Sequence, residues 1–137
     1  MSEQTEPKVS QEVADAEFDR FAEAMDLDVD TSRMDTEDVE TFKTSRRRVT
    51  DAIMRGSLAI DDAGQPVYQP LAGGDAITFY EPTGATFMAM DGKKKDHDFE
   101  RTFSLLADMT RQLPKRFATM KQRDLKLCRT ILGLFLG

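Results

Sequence analysis

Ile77-Thr-Phe-Tyr-Glu-Pro-Thr-Gly-Ala-Thr-Phe-Met-Ala-Met-Asp91 is the stretch that decides the fold class. Its opening residues alternate apolar with polar in the manner of a short strand. Glu81-Pro82-Thr83 marks a turn, because proline cannot continue a ladder. Residues 83–91 then read as a short helix closed by Gly92. Working upstream, Ser57-Leu-Ala-Ile60 and Pro66-Val-Tyr-Gln69 flank a five-residue loop with a late glycine, Gly64, which is a hairpin pattern. Pro66 and Pro70 place the second strand at an edge. Gly73-Gly74 forms a turn, and residues 76–80 make a third strand.

Downstream of the quoted stretch the period changes to helical. Residues 97–110 set Phe99, Phe103, Leu106 and Thr110 on one stripe. Pro114 starts a further turn. Thr119 with Gln122 fits a capping box for the last helix, in which Leu125, Cys128, Ile131 or Leu132, and Phe135 repeat. Nearer the N-terminus, residues 36–55 form a helix capped by Asp35 or Thr36. Glu37 and Asp38 lie in its first turn, where carboxylates oppose the helix dipole. Val39, Phe42, Val49, Ile53 and Met54 supply its apolar face, and Gly56 ends it. Residues 11–25 can form a short amphipathic helix with a stripe of Val13, Phe18, Phe21 and Met25.

The expected architecture is α+β and mainly helical. A small three-stranded antiparallel meander is followed by a cluster of short C-terminal helices. Residues 36–137 make up this domain, and residues 1–35 an acidic, largely flexible arm. The 137-residue length fits one modest core. Net charge is −6, distributed unevenly. Residues 1–40 hold 14 acids against 3 Lys and Arg, or −11, and the remainder is +5. Such an arm either keeps the chain soluble, folds back on the basic body, or engages a basic partner. Cys128 is the single cysteine, which excludes an internal disulfide and any multi-cysteine metal site. There is no 18-residue apolar run and no signal-peptide pattern, so the expected compartment is cytoplasmic, with no membrane partner.

Little in the chain points to catalysis. His97 is the only histidine and stands in a polar Lys-Lys-Lys-Asp-His-Asp loop, so no triad can be built on a second histidine. Cys128 lies on an apolar helical stripe and reads as core. Asp26, Asp28, Asp30 and Glu37 have the spacing of positions 1, 3, 5 and 12 of a calcium loop. Thr31 stands where that loop needs glycine, and Arg33 where it needs an apolar side chain, which leaves this a weak metal candidate. Arg46-Arg47-Arg48 and Lys93-Lys94-Lys95 lack interleaved aromatics, so nucleic acid is not an expected partner. No cofactor is expected.

The strongest remaining signal is apolar. Leu125, Leu127, Ile131, Leu132, Leu134, Phe135 and Leu136 crowd the last helix, and several of them surround it instead of lining one face. A small domain cannot easily cover every side, so these residues are the expected partner-binding or self-association surface.

Hairpin, third strand, Glu81-Pro82-Thr83, Met90-Asp91, Leu105–Leu113, Leu113-Pro114 and the closing segment from Asp124 to Phe135-Leu136-Gly137 together resemble the tail assembly chaperone family of long-tailed bacteriophages. The likeness covers residues 57–137; residues 1–56 are a departure from the family's usual short form. The resemblance implies a non-enzymatic protein in the bacterial host cytoplasm. It would coat the tape measure protein, keep it soluble before tail tube polymerisation, and help to recruit the tail tube protein. Such proteins are often made in two lengths by a programmed frameshift. The alternatives are a structural tail or connector component of a virion, and a calcium-binding module through Asp26 to Glu37.

Overall fold

A computed structural model describes residues 8–88 and 98–136. Helix α1 spans Gln11–Ala24 and α2 Thr36–Arg55, with a single 3-10 turn at Thr31–Arg33 between them. Strands β1 (Leu58–Ile60), β2 (Pro66–Tyr68) and β3 (Ile77–Thr78) follow. Helices α3 (Gly84–Met88), α4 (Asp98–Thr110), α5 (Pro114–Ala118) and α6 (Gln122–Leu136) complete the order. The architecture is the α+β, mainly helical one, with a three-stranded antiparallel meander ahead of the C-terminal helices.

The expected 36–55 helix forms over those bounds because both of its ends are chemically fixed. The Asp35 side chain accepts from the Asp38 N–H at 2.8 Å, satisfying one of the orphan amides of the first turn. Gly56 takes φ +82° at the other end, a conformation open to glycine without steric cost.

The second strand is not at an edge. The order is β1-β2-β3, with Leu58 opposite Tyr68 and Tyr68 opposite Ile77. Proline is tolerated here because Pro66 is the first residue of its strand and needs only its carbonyl, which accepts from Phe79 N–H at 2.8 Å. The hairpin loop is held by Asp61, whose side chain accepts from Ala63 and Gln65 amides.

The arm expected at residues 1–35 is also corrected. Gln11–Ala24 is a packed helix, capped by the Ser10 side chain on Val13 N–H. Its buried face is Ala14, Phe18, Phe21 and Ala22, which keeps Phe18 and Phe21 of the expected stripe, leaves Met25 half-buried and exposes Val13. Positions i, i+4, i+7 and i+8 form one helical face, and the two alanines allow close approach. Arg20 fixes this helix to the sheet, donating to the carbonyls of Ile60 at 2.6 Å and Asp61 at 2.7 Å. At Gly64, φ +83°, an added Cβ would stand 2.2 Å from Ala24 Cβ, so only glycine lets the hairpin meet α1. One core results, running from Phe18 and Phe21 through Tyr68, Ile77 and Phe79 to Leu106, Phe117 and Ile131.

Candidate partner-binding surface

Helix α6 carries the residues expected to bind a partner, and its placement depends on Asp124. This carboxylate lies in the first turn of α6 and is buried. It accepts from Tyr68 OH at 2.7 Å, Leu71 N–H at 2.7 Å and Ala72 N–H at 3.3 Å. A buried carboxylate is costly unless bonded, and here three donors and the helix N-terminus compensate it. The same bonds tie the end of β2 and the following turn to α6. Burial and the Asp124 bond both push the Tyr68 phenol above its ordinary pKa. Cys128, one turn along, is pushed up to about 12, first by burial and then by the Asp124 charge. Its Sγ lies 3.8 Å from Met120 Sδ, so it belongs to the core as expected.

With α6 set this way, its apolar residues divide. Leu127, Ile131 and Leu132 are buried in the core, so they are not available to a partner. Leu125, Leu134 and Phe135 are half-buried, and Leu136 is exposed. The Phe135 ring meets Phe21 edge-on at 5.5 Å. The cover for α6 that the domain seemed unable to provide is chiefly α2, with α4 beside it, while α1 meets the end of α6 through Phe21 and Phe135. That correction removes Leu127, Ile131 and Leu132 from the surface expected from sequence. Thr119 is likewise not a cap of α6: its hydroxyl donates back to the Lys115 carbonyl at the end of α5.

Other large apolar side chains face solvent along the chain, among them Val13, Val29 and Leu71. Phe87 and Met88 at the end of α3 are 45% and 70% exposed, Phe99 on α4 is 64%, and Leu113 before α5 is 75%. Phe99, expected in the core, instead lies 6.2 Å from the Phe103 ring, with the Arg129 guanidinium 5.8 Å from its centroid. Among the methionines, Met88 is exposed, Met109 is buried and Met120 is half-buried. Met90 lies outside the described residues, as do His97 and Lys93–Lys95. The Glu81-Pro82-Thr83 turn is held by Thr86, a residue the sequence reading passed over. Thr86 is buried, its hydroxyl accepts from Thr83 N–H, and its amide donates to the Thr83 carbonyl, both at 3.0 Å. The visible signal was its spacing, a Thr-x-x-Thr reciprocal cap.

The charged clusters resolve into local contacts. Arg46 pairs with Asp15 at 3.6 Å and Asp19 at 3.3 Å and lies 4.5 Å over the Phe18 ring, so part of the arginine run docks α1. Arg48 donates to Thr130 Oγ1. In the acidic loop Asp28 accepts from Asp30 N–H, and Asp30 accepts from the Ser32 amide and hydroxyl, which lowers the Asp30 pKa. Asp26, Asp28, Asp30 and Glu37 do not converge; among the described residues no three His, Cys, Asp or Glu side chains are placed to hold a metal. Among the described residues, too, no helix is long and apolar enough to cross a membrane.

No protein family, characterised protein or solved structure matches this chain. The class defined by the fold is a mainly helical α+β domain with a three-stranded meander.

Proposed function

We propose that this protein is a non-enzymatic tail assembly chaperone acting in the bacterial host cytoplasm. It binds apolar helical stretches of the tape measure protein and keeps them soluble until the tail tube forms around them. The observation that carries this reading is the exposure of Phe87, Met88, Phe99 and Leu113, four of the eight large apolar side chains that face solvent among the described residues. All four fall within the 57–137 segment that resembles the chaperone family. Exposed large apolar side chains favour association where they meet in one patch. The binding residues are therefore these four, and not the core face of α6.

Co-expression with the tape measure protein tests the reading. Soluble tape measure protein should fall severalfold when Phe99→Ser and Leu113→Ser are combined, while the variant keeps its thermal midpoint. Unchanged solubility of the partner rejects the assignment. Stoichiometric recovery of the protein in purified particles would instead favour a structural tail or connector component.

A further inference from the structure

Helices α2 and α6 and the loop between α1 and α2 enclose a groove of about 390 Å³ that the chaperone reading does not use. Leu27, Met34, Phe42 and Leu134 provide apolar lining. Gly133 lies on the α6 wall, and a Cβ added there would meet nothing within 4 Å, so the absent side chain widens the groove. Asp28 and Asp38 stand on the rim with Arg33. They belong to a larger field: residues 26–40 hold seven carboxylates against Arg33 as the single cation, and all seven are exposed. Among the described residues none of the seven is in an ion pair, unlike Glu17 with Arg20 and Asp15 and Asp19 with Arg46.

We propose that this groove is a docking site for a basic amphipathic helix of another protein, with its apolar stripe on Phe42 and Leu134 and its lysines or arginines over Asp28 and Asp38. The occupant is a helix because two of the walls are helices, whose backbone groups are already paired, and the loop that forms the third carries no strand edge for β-addition. The volume, near the lower end of the roughly 300–1,000 Å³ usual for binding clefts, suits a few anchoring side chains spaced one turn apart. The charge fixes the sign of the partner: a nucleic acid, an anionic membrane or an acidic peptide would be repelled. A second copy does not fit, because α6, the helix carrying Arg123, Lys126 and Arg129, has its apolar face in the core.

The probe is a fluorescein-labelled helical peptide of leucine, alanine and lysine, with leucines at i, i+3, i+4 and i+7 and lysines flanking them. Its control carries glutamate for lysine. Anisotropy with the full chain should show the lysine peptide binding at least about tenfold more tightly than its control, and weakening as salt rises. Gly133→Phe should fill the groove and weaken binding by about tenfold or more, with an equal or higher thermal midpoint, since glycine is a poor helix residue and the added side chain meets open space. Asp28→Lys should weaken it too. Equal binding of the two peptides, or binding untouched by Gly133→Phe, would overturn the proposal. So would sedimentation showing that the chain dimerises through the groove without peptide. The readout uses a model peptide, so a failed tape measure experiment leaves it standing, and the reverse also holds.

Discussion

Helix α1 and the α3–α4 segment present the same problem and meet it differently. Each carries large aromatic side chains next to charged ones. In α1, Phe18 and Phe21 are fully buried, and the charged residues beside them become fasteners: Arg20 on the hairpin carbonyls, Asp15 and Asp19 on Arg46. In α3 and α4, Phe87 and Phe99 stand in solvent, with the Arg129 guanidinium 5.8 Å from the Phe99 ring. The difference teaches that net charge does not decide whether a segment packs. A small complementary face does, and α1 has one in Ala14, Phe18, Phe21 and Ala22.

If that contrast is right, truncating the two sets of aromatics should have opposite consequences. Phe21→Ala removes a buried ring that meets both Phe18 and Phe135, and should cost about 3–5 kcal/mol in urea unfolding. Asp124→Ala leaves Tyr68 OH and the Leu71 amide without their acceptor, and should cost on the order of 3 kcal/mol, read in the same way. Phe99→Ser should change stability by less than about 0.5 kcal/mol, because its ring is already in water.

A pH series sharpens the core side of the comparison. Cys128 and Tyr68 both have raised pKa values in the folded state, so the neutral form is the one folding favours. Their contribution is fully present below the unfolded-state values of about 8.5 for thiol and 10 for phenol, and is lost as pH rises beyond them. The thermal midpoint should therefore decline above about pH 8.5 through these two groups, and native Cys128 should resist alkylation at pH 8. Rapid labelling at pH 8 without unfolding would contradict the burial.

Much of this fold was legible in the sequence where a chemical rule is local. Asp35 and Gly56 announced both ends of α2, and Asp61 with Gly64 announced the hairpin loop. What failed was non-local. Nothing in Pro66 reveals that its carbonyl side faces a third strand. Nothing in the spacing of Leu127, Ile131 and Leu132 shows that α2 packs on their helix, because α2 lies far upstream in the sequence and is itself rich in charge. The exposed Phe99 was misplaced for the converse reason: it sits on the same helical stripe as Leu106, but at the N-terminal end of α4, beyond the reach of the core. Of the candidate site, the apolar character was legible and its location was not.

The central claim is that the α1 segment packs into the same core as the end of α6, through Phe21 and Phe135. A double-mutant cycle of Phe21→Ala and Phe135→Ala, followed by urea unfolding, tests it most directly. The account predicts a coupling of about 0.5–1.5 kcal/mol, that of an edge-on aromatic pair at 5.5 Å. Additivity of the two single effects to within about 0.3 kcal/mol would contradict it and return Phe135 to the solvent-facing surface.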